Sequence, residues 1–326
     1  MLYIRHNITD PCINIAAEEY FLQESQYEYF LLYSNEPSVI IGKHQNAYAE
    51  INYDFIRKNN FKVVRRISGG GAVWHDPGNL NFSFIGNGKP GELVNFRKYM
   101  QPVLDFLTGM GLNANFEGKN SISVNGYKVS GNAEHVYKNR ILHHGTLLFN
   151  TNLAAMAEAL GVDPHKYHDR AVKSVRSNTT NISDQLNRRM NISEFGDVFF
   201  RYIVERDAGG RIIDLEDSDH HKIQILADNK YSKWEWNFGY SPPYELKRII
   251  NIAGSSTGIS LQVEKGRIIK IKITGNFPDP SLMNKLEAVL TGQKHREETI
   301  TGILKQDEFV DLLNIMDIEN WIKMFF

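Results

Sequence analysis

The sequence predicts an α+β protein, with mixed α and β structure over residues 1–245 and a small α+β domain over 246–326. Three observations carry that expectation. The chain has 326 residues, more than one hydrophobic core usually organises. Short β-rich runs outnumber the stretches of helical spacing, and they do not alternate with helices as a parallel-sheet protein requires. The texture then changes at Ser241-Pro242-Pro243, which marks a boundary.

Each element follows from local chemistry. Asp10 caps a first helix, Pro11 suits its first turn, and Ile13, Ala16, Ala17, Tyr20 and Phe21 repeat at helical spacing. Strands are expected at 29–33, 38–41, 62–67 and 80–85. A helix is expected over 92–108, stopped by Gly109 and Gly111. Ser121–Val124, the Asn125-Gly126 turn and Tyr127 onward form a hairpin, because Asn-Gly tolerates positive φ at both positions. A second turn at Lys138-Asn139-Arg140 precedes a strand over 141–149. Helices follow near 152–160 and 191–205, then strands near 247–253, 258–263 and 267–274, and amphipathic helices to Phe326.

Composition excludes several classes of function. Lys plus Arg number 37 and Asp plus Glu 38, so no basic excess exists to coat nucleic acid. Mean hydropathy is -0.38. No apolar run approaches the roughly 18 residues that span a membrane. The first ten residues lack the apolar core of a signal peptide, so the chain is expected to be soluble and cytoplasmic. One cysteine, Cys12, excludes an internal disulfide and any multi-cysteine metal site. It reads as a buried structural thiol. The Asn-x-Ser/Thr matches at Asn7, Asn178, Asn181 and Asn191 are then chance.

The chemistry concentrates between residues 65 and 84. Arg65-Arg66-Ile67-Ser68-Gly69-Gly70-Gly71-Ala72-Val73-Trp74-His75-Asp76 places three glycines between strands. Taken alone, the triplet reads as a glycine-rich hairpin loop. With Arg-Arg before it and His-Asp after it, it reads as backbone N–H groups approaching an anion whose charge the arginines offset. No P-loop signature exists, and Gly86-Asn-Gly88-Lys-Pro-Gly91 reads as a loop rather than a dinucleotide site. Lys128-Val-Ser130-Gly131-Asn132 follows the hairpin turn, so small residues leave room for a ligand beside a lysine. His143 and His144, adjacent on a strand, point to opposite faces, which argues against a two-histidine metal site. His165-Lys-Tyr-His168 and His220-His221 read as surface residues, and Lys173–Asn181 reads as a polar loop.

Together these segments resemble the lipoate-protein ligase family over nearly the whole chain. The matches are Arg65 to Asn79, Lys128-Val-Ser-Gly131, His143-His-Gly-Thr-Leu-Leu148, Lys173-Ser-Val-Arg-Ser177, Thr180-Asn181 and Trp234-Glu-Trp-Asn-Phe-Gly239, in the family's order. The resemblance implies a large mixed-sheet catalytic domain of the biotin/lipoate ligase kind with a small C-terminal accessory domain. It implies that lipoate and ATP, with Mg²⁺, give lipoyl-AMP, and that the lipoyl group passes to a carrier lysine. The implied carriers are lipoyl domains of 2-oxoacid dehydrogenase acyltransferases and the glycine-cleavage H protein. Lys128 is implied as the catalytic residue. Substrate and ATP binding are implied for Arg65, Arg66, Ser68, Gly69, Gly70, Gly71, Ala72, Val73, Trp74, His75, Asn79, Asn120, Ser130, Gly131, His144, Gly145 and Thr146, and for Lys128 itself. No metal ligand is assigned.

Two positions depart from the family pattern. Lys119-Asn120-Ser121 stands where relatives read R/K-N-D, and Asn178 stands where many carry arginine. The missing aspartate leaves open a lipoyltransferase that accepts preformed lipoyl-AMP or moves lipoyl between carriers. A non-catalytic binder is a further alternative, opposed by Lys128 and the arginines. Octanoyl transfer needs a thiol nucleophile, and Cys12 lies outside the matched segments.

Overall fold

The first helix forms where its cap predicts. Asp10 accepts a hydrogen bond from the Cys12 amide at 2.8 Å, and Pro11–Glu24 is helical. The computed structural model describes all residues except 89–93, 164–165 and 253–254. The glycine-proline loop after Gly88, the start of the helix expected from 92, and His165 therefore lie wholly or partly outside the described residues. That helix is described over Phe96–Gly109.

Two compact units emerge. The first comprises Met1–Lys43, Phe61–Ala159 and Ser174–Lys233, and the second His44–Asn60, Leu160–Lys173 and Trp234–Phe326. The first unit holds an eight-stranded mixed sheet. Its order is Arg211–Ile212, Leu2–Arg5, Tyr29–Tyr33, Asn79–Asn87, Arg140–Leu148, Tyr127–Tyr137, Ser121–Val124 and Ala114–Glu117. The hairpin turn has Asn125 at φ 52° and Gly126 at 82°, the backbone that Asn-Gly favours. A separate three-stranded sheet, Lys62–Arg65, Ser38–Ile41 and Val73–His75, carries the chain into and out of the glycine loop.

One face of the large sheet buries Phe82, Phe84 and Leu147 against Phe106, Phe195 and Phe199 from the Phe96–Gly109 and Ile192–Glu205 helices. Asn191 caps the latter helix through a reciprocal bond pair with Glu194, which accounts for an asparagine there without glycosylation. The second unit builds a four-stranded antiparallel sheet from Tyr167–Asp169, Tyr244–Ile252, Ser255–Glu264 and Arg267–Thr274, with its own core around Leu261, Leu286, Phe309 and Trp321. Among the described residues no helix is long and apolar enough to cross a membrane.

Candidate active site

The two arginines of the signature build the glycine loop from inside. Arg65 is fully buried, and its guanidinium donates to the Gly42 and Lys43 carbonyls, each at 3.1 Å. Arg66 donates to Ser68 Oγ (2.9 Å) and to the carbonyls of Ile40 (3.0 Å), Gly69 (2.6 Å) and Gly71 (2.8 Å). Burial lowers the Arg66 pKa to about 10, which still leaves it cationic at neutral pH. The positive charge expected from the sequence is present, held below the loop by hydrogen bonds to its backbone.

The three glycines have different reasons. Gly70 sits at φ +88°, where L side chains are strained. A Cβ on Gly71 would meet Ser174 Oγ at 2.9 Å, the oxygen that also accepts from the Ala72 amide at 2.8 Å. A Cβ on Gly69 would have open space within 4 Å. Beneath the loop, Gly42 is indispensable for packing, because its Cβ would stand 2.1 Å from the Gly70 carbonyl oxygen.

Ser68 links the loop to the large sheet. Its hydroxyl lies 2.6 Å from His144 Nε2, and His144 Nδ1 lies 2.7 Å from Glu18 Oε2. Glu18 Oε1 accepts from the hydroxyls of Tyr33 and Ser83. A carboxylate accepts, so His144 donates from Nδ1 to Glu18, and Ser68, in contact with Nε2, accepts from Arg66. Glu18 is 1% exposed and was not anticipated from sequence. The helix also carries Asn14, Gln23 and Glu24, so the Glu18-Glu19 pair does not stand out in the sequence.

The rest of the signature divides by role. Trp74 is a core residue, packed edge-on against Phe61 with its indole N–H on Asp76. His75 accepts at Nδ1 from Asn35 (2.8 Å) and leaves Nε2 unpartnered. Burial and the nearby Arg66 and His144 push its pKa to about 3, so the ring is neutral. Asn79 donates to Asn81 at 2.7 Å and leaves its own side-chain oxygen unpartnered.

Lys128 lies on the hairpin strand Tyr127–Tyr137. Its backbone pairs with the 178–180 segment, donating to the Asn178 carbonyl (2.9 Å) and accepting from the Thr180 amide (3.2 Å). The polar loop is thereby tied down at two points, since Ser174 touches the glycine loop and Asn178 touches Lys128. Those contacts are four positions apart in the chain, a span of at most about 14 Å of extended backbone. The Lys128 Nζ lies 3.3 Å from where a Gly131 Cβ would be, so the ammonium packs close over that glycine. No hydrogen bond or ion pair holds the ammonium among the described residues. Burial lowers its pKa below the ordinary lysine value, with Glu117 pulling the other way. A half-buried ammonium without a fixed partner is a candidate functional group.

Ser130 is fully buried, and Asn120 exchanges hydrogen bonds with Asn132. Thr146 Oγ1 makes a long 3.5 Å contact with the Gly131 amide. The register pairs Thr146 with Asn81 and His144 with Ser83, so Thr146, Asn81, His144 and Ser83 share one sheet face. Leu147 is on the other face, in the core. A cavity of about 700 Å³ lies in the second unit between Tyr48, Tyr53, Tyr167 and Arg248, and no sequence-predicted site residue lines it.

Cys12 is buried and its thiol lies 3.4 Å from the Tyr231 carbonyl. Burial, reinforced by Asp10, pushes its pKa up to about 12, so it is a thiol rather than a nucleophilic thiolate at neutral pH. A Cys12→Ser chain is expected to keep its activity and to differ little from wild type in alkylation by iodoacetamide. Loss of activity would restore a thiol mechanism.

Residues 10–204 match the lipoyl protein ligase A/B catalytic domain, and residues 241–325 match the bacterial lipoate protein ligase C-terminus. Lipoate-protein ligase LplJ of Bacillus subtilis is 37% identical over 330 residues, covering 96% of this chain and all of the relative. Two solved structures share the fold. A lipoate-protein ligase A bound with ATP is 25% identical, with a TM-score of 0.62 over 74% of this chain and all of that one. A bipartite lipoate protein ligase of Thermoplasma acidophilum, described with its E2 lipoyl domain, is 26% identical, with a TM-score of 0.62 over 73% of this chain and 95% of that one. With both domains matched in order and a full-length relative at this identity, the chain belongs to the lipoate-protein ligase family.

Proposed function

We propose that this chain catalyses both half-reactions of lipoate salvage: lipoate and ATP give lipoyl-AMP and pyrophosphate, and a carrier lysine then displaces AMP. Residues 1–245 form the catalytic domain and 246–326 the accessory domain in this reading, and the reaction is cytoplasmic. The observation that carries it is the Lys128 ammonium, left without a fixed partner beside Gly131 on a strand whose backbone is joined through the 174–178 segment to the glycine loop.

A free carboxylate resists an amine because its leaving group is poor. In the first step a lipoate oxygen attacks the α-phosphorus and the bond to pyrophosphate breaks, so the acyl group gains AMP as a leaving group. Bringing carboxylate and triphosphate together crowds negative charge. Each close cation offsets roughly 4 kcal/mol before desolvation, at about 4 Å and an effective dielectric of about 20. Arg65 and Arg66 supply that charge from below the loop, and the amides of Gly69 to Gly71 face the phosphates in this reading, the Ala72 amide being taken by Ser174. Lys128 stabilises oxygen charge at the α-phosphate and then at the acyl carbonyl when the amine attacks. His75, Asn79, Asn120, Ser130, His144 and Thr146 line the acyl and nucleotide subsites, with Trp74 supporting them from the core. Burying the four-methylene lipoyl chain contributes about 3 kcal/mol.

Mg²⁺ enters this reading on the phosphates of ATP. Magnesium keeps several waters and takes few protein ligands beside phosphates. Among the described residues no group of three or more His, Cys, Asp or Glu is placed to hold a metal, and Ser121 stands at the position of the family's aspartate. Ser121 supplies no carboxylate there, and no step here is routed through the ion.

The carriers in this reading are lipoyl domains of 2-oxoacid dehydrogenase acyltransferases and the glycine-cleavage H protein. The test is lipoate-dependent and ATP-dependent mass gain on a purified carrier domain. No gain on either carrier class would refute the reading. Gly69→Ala sharpens it: with open space at that position, stability should shift by no more than about 0.5 kcal/mol. The apparent KM for ATP should nonetheless rise, since the added methyl stands where the nucleotide approaches the backbone. An unchanged KM would move the nucleotide elsewhere.

A further inference from the structure

His143 occupies the sheet face opposite His144, stacked on Tyr99 (5.2 Å between ring centres) and fully buried. Its Nδ1 lies 2.8 Å from Glu134 Oε1 and its Nε2 lies 3.2 Å from Asn132 Oδ1. The orientation of that amide is decided by its other end. Asn132 Nδ2 faces the Asn120 carbonyl at 3.2 Å and Ser130 Oγ at 3.1 Å, and a carbonyl only accepts. Asn132 Oδ1 therefore faces the histidine, and His143 must donate from Nε2. The remaining ring nitrogen then meets a carboxylate oxygen, and two lone pairs do not sit at 2.8 Å without a proton between them.

Asn132 is the centre of a clasp. It bonds Asn120 three times: amide to carbonyl (2.8 Å), side chain to carbonyl (3.2 Å), and its own carbonyl to Asn120 Nδ2 (3.0 Å). The same side chain explains the glycine after the two histidines, because a Cβ on Gly145 would lie 2.2 Å from Asn132 Oδ1. Asn120 precedes Ser121, which pairs with Gly131 beside Lys128.

We propose that His143 and Glu134 share one buried proton and are positioning residues for the ligase reaction, holding Asn132 so that it fixes Asn120 and Ser130 next to Lys128. As a pair they are electrically neutral whichever atom carries the proton, which suits a site where Glu134 has its second oxygen buried and unpartnered. The other titratable neighbours are Tyr99, whose hydroxyl is also unpartnered, and His144 across the sheet. Burial pushes the His143 pKa down while Glu134 pulls it up.

Two measurements test this. The first uses the full chain without substrates, labelled with ¹⁵N-histidine, and reads the His143 ring nitrogens by NMR between about pH 6 and 8, the range in which free histidine titrates. A protonated Nε2 throughout is the expected result. A bare Nε2 with the proton on Nδ1 would overturn the proposal, because Asn132 would then have to turn its amide toward the ring.

The second measurement is kinetic and rests on the reaction proposed above, whereas the first does not, so the two can fail separately. Glu134→Gln, which can still donate to Nδ1, should leave the KM for ATP within a factor of about three, while Glu134→Leu and His143→Leu raise it about tenfold or more. A Glu134→Leu chain with wild-type kinetics, or a Glu134→Gln chain as impaired as Glu134→Leu, would refute the positioning role.

Discussion

Replacing Lys128 with alanine is expected to lower carrier lipoylation by on the order of 10² to 10³, the cost of deleting one preorganised donor to developing oxyanion charge. Both half-reactions should suffer, because in the proposed reaction one ammonium serves both. The fold should survive, since the side chain makes no hydrogen bond or ion pair among the described residues and only its backbone joins the neighbouring segment. The pH dependence has a definite sign. Burial lowers the Lys128 pKa, so the ammonium is lost as pH rises through that lowered value, earlier than for an exposed lysine. The alkaline limb of the rate should begin correspondingly early, and Lys128→Arg should abolish that limb whatever residual rate it keeps. Full activity in Lys128→Ala would remove the residue from the mechanism.

Gly42→Ala should be nearly as damaging by a different route. The new Cβ would lie 2.1 Å from the Gly70 carbonyl oxygen and 3.3 Å from the Gly69 carbonyl carbon, both backbone atoms. The glycine loop must move, although Gly42 itself touches no substrate in the proposed reaction. A displacement near 1 Å costs on the order of 10² in rate, and the overpacking costs about 1 to 3 kcal/mol in stability. Gly109→Ala is the control, because open space surrounds that position. Thermal melts and steady-state rates on both chains separate the two effects. Gly42→Ala with normal kinetics would mean that the loop geometry is not used.

Local chemistry made part of this legible in advance. Asn125-Gly126 announced its hairpin because both positions need positive φ, and Asp10-Pro11 announced its helix because the cap and the first turn are chosen by orphaned amides. The two-residue strand Arg211–Ile212 was illegible: it exists by parallel pairing with Leu2 and Tyr3, and two residues carry no period. At the site, the signature showed where cations and glycines gather but not what they bond. Arg66 reads as free charge in sequence, yet three of its bonds go to backbone carbonyls. Glu18 was invisible because its partners Tyr33, Ser83 and His144 are 15, 65 and 126 residues away. The asparagine clasp was hidden for the same reason, although Gly145 marked the space that Asn132 fills.

The departure at Ser121 bears on activation rather than transfer, so the decisive measurement omits the carrier. Purified chain, lipoate, ATP and Mg²⁺ are mixed, and pyrophosphate is followed together with protein-bound acyl adenylate. A burst of pyrophosphate matching the enzyme concentration, dependent on lipoate and lost in Lys128→Ala, is the predicted result. Absence of that burst, in a chain that still acylates a carrier from supplied lipoyl-AMP, would contradict the two-step ligase reading and leave a transferase.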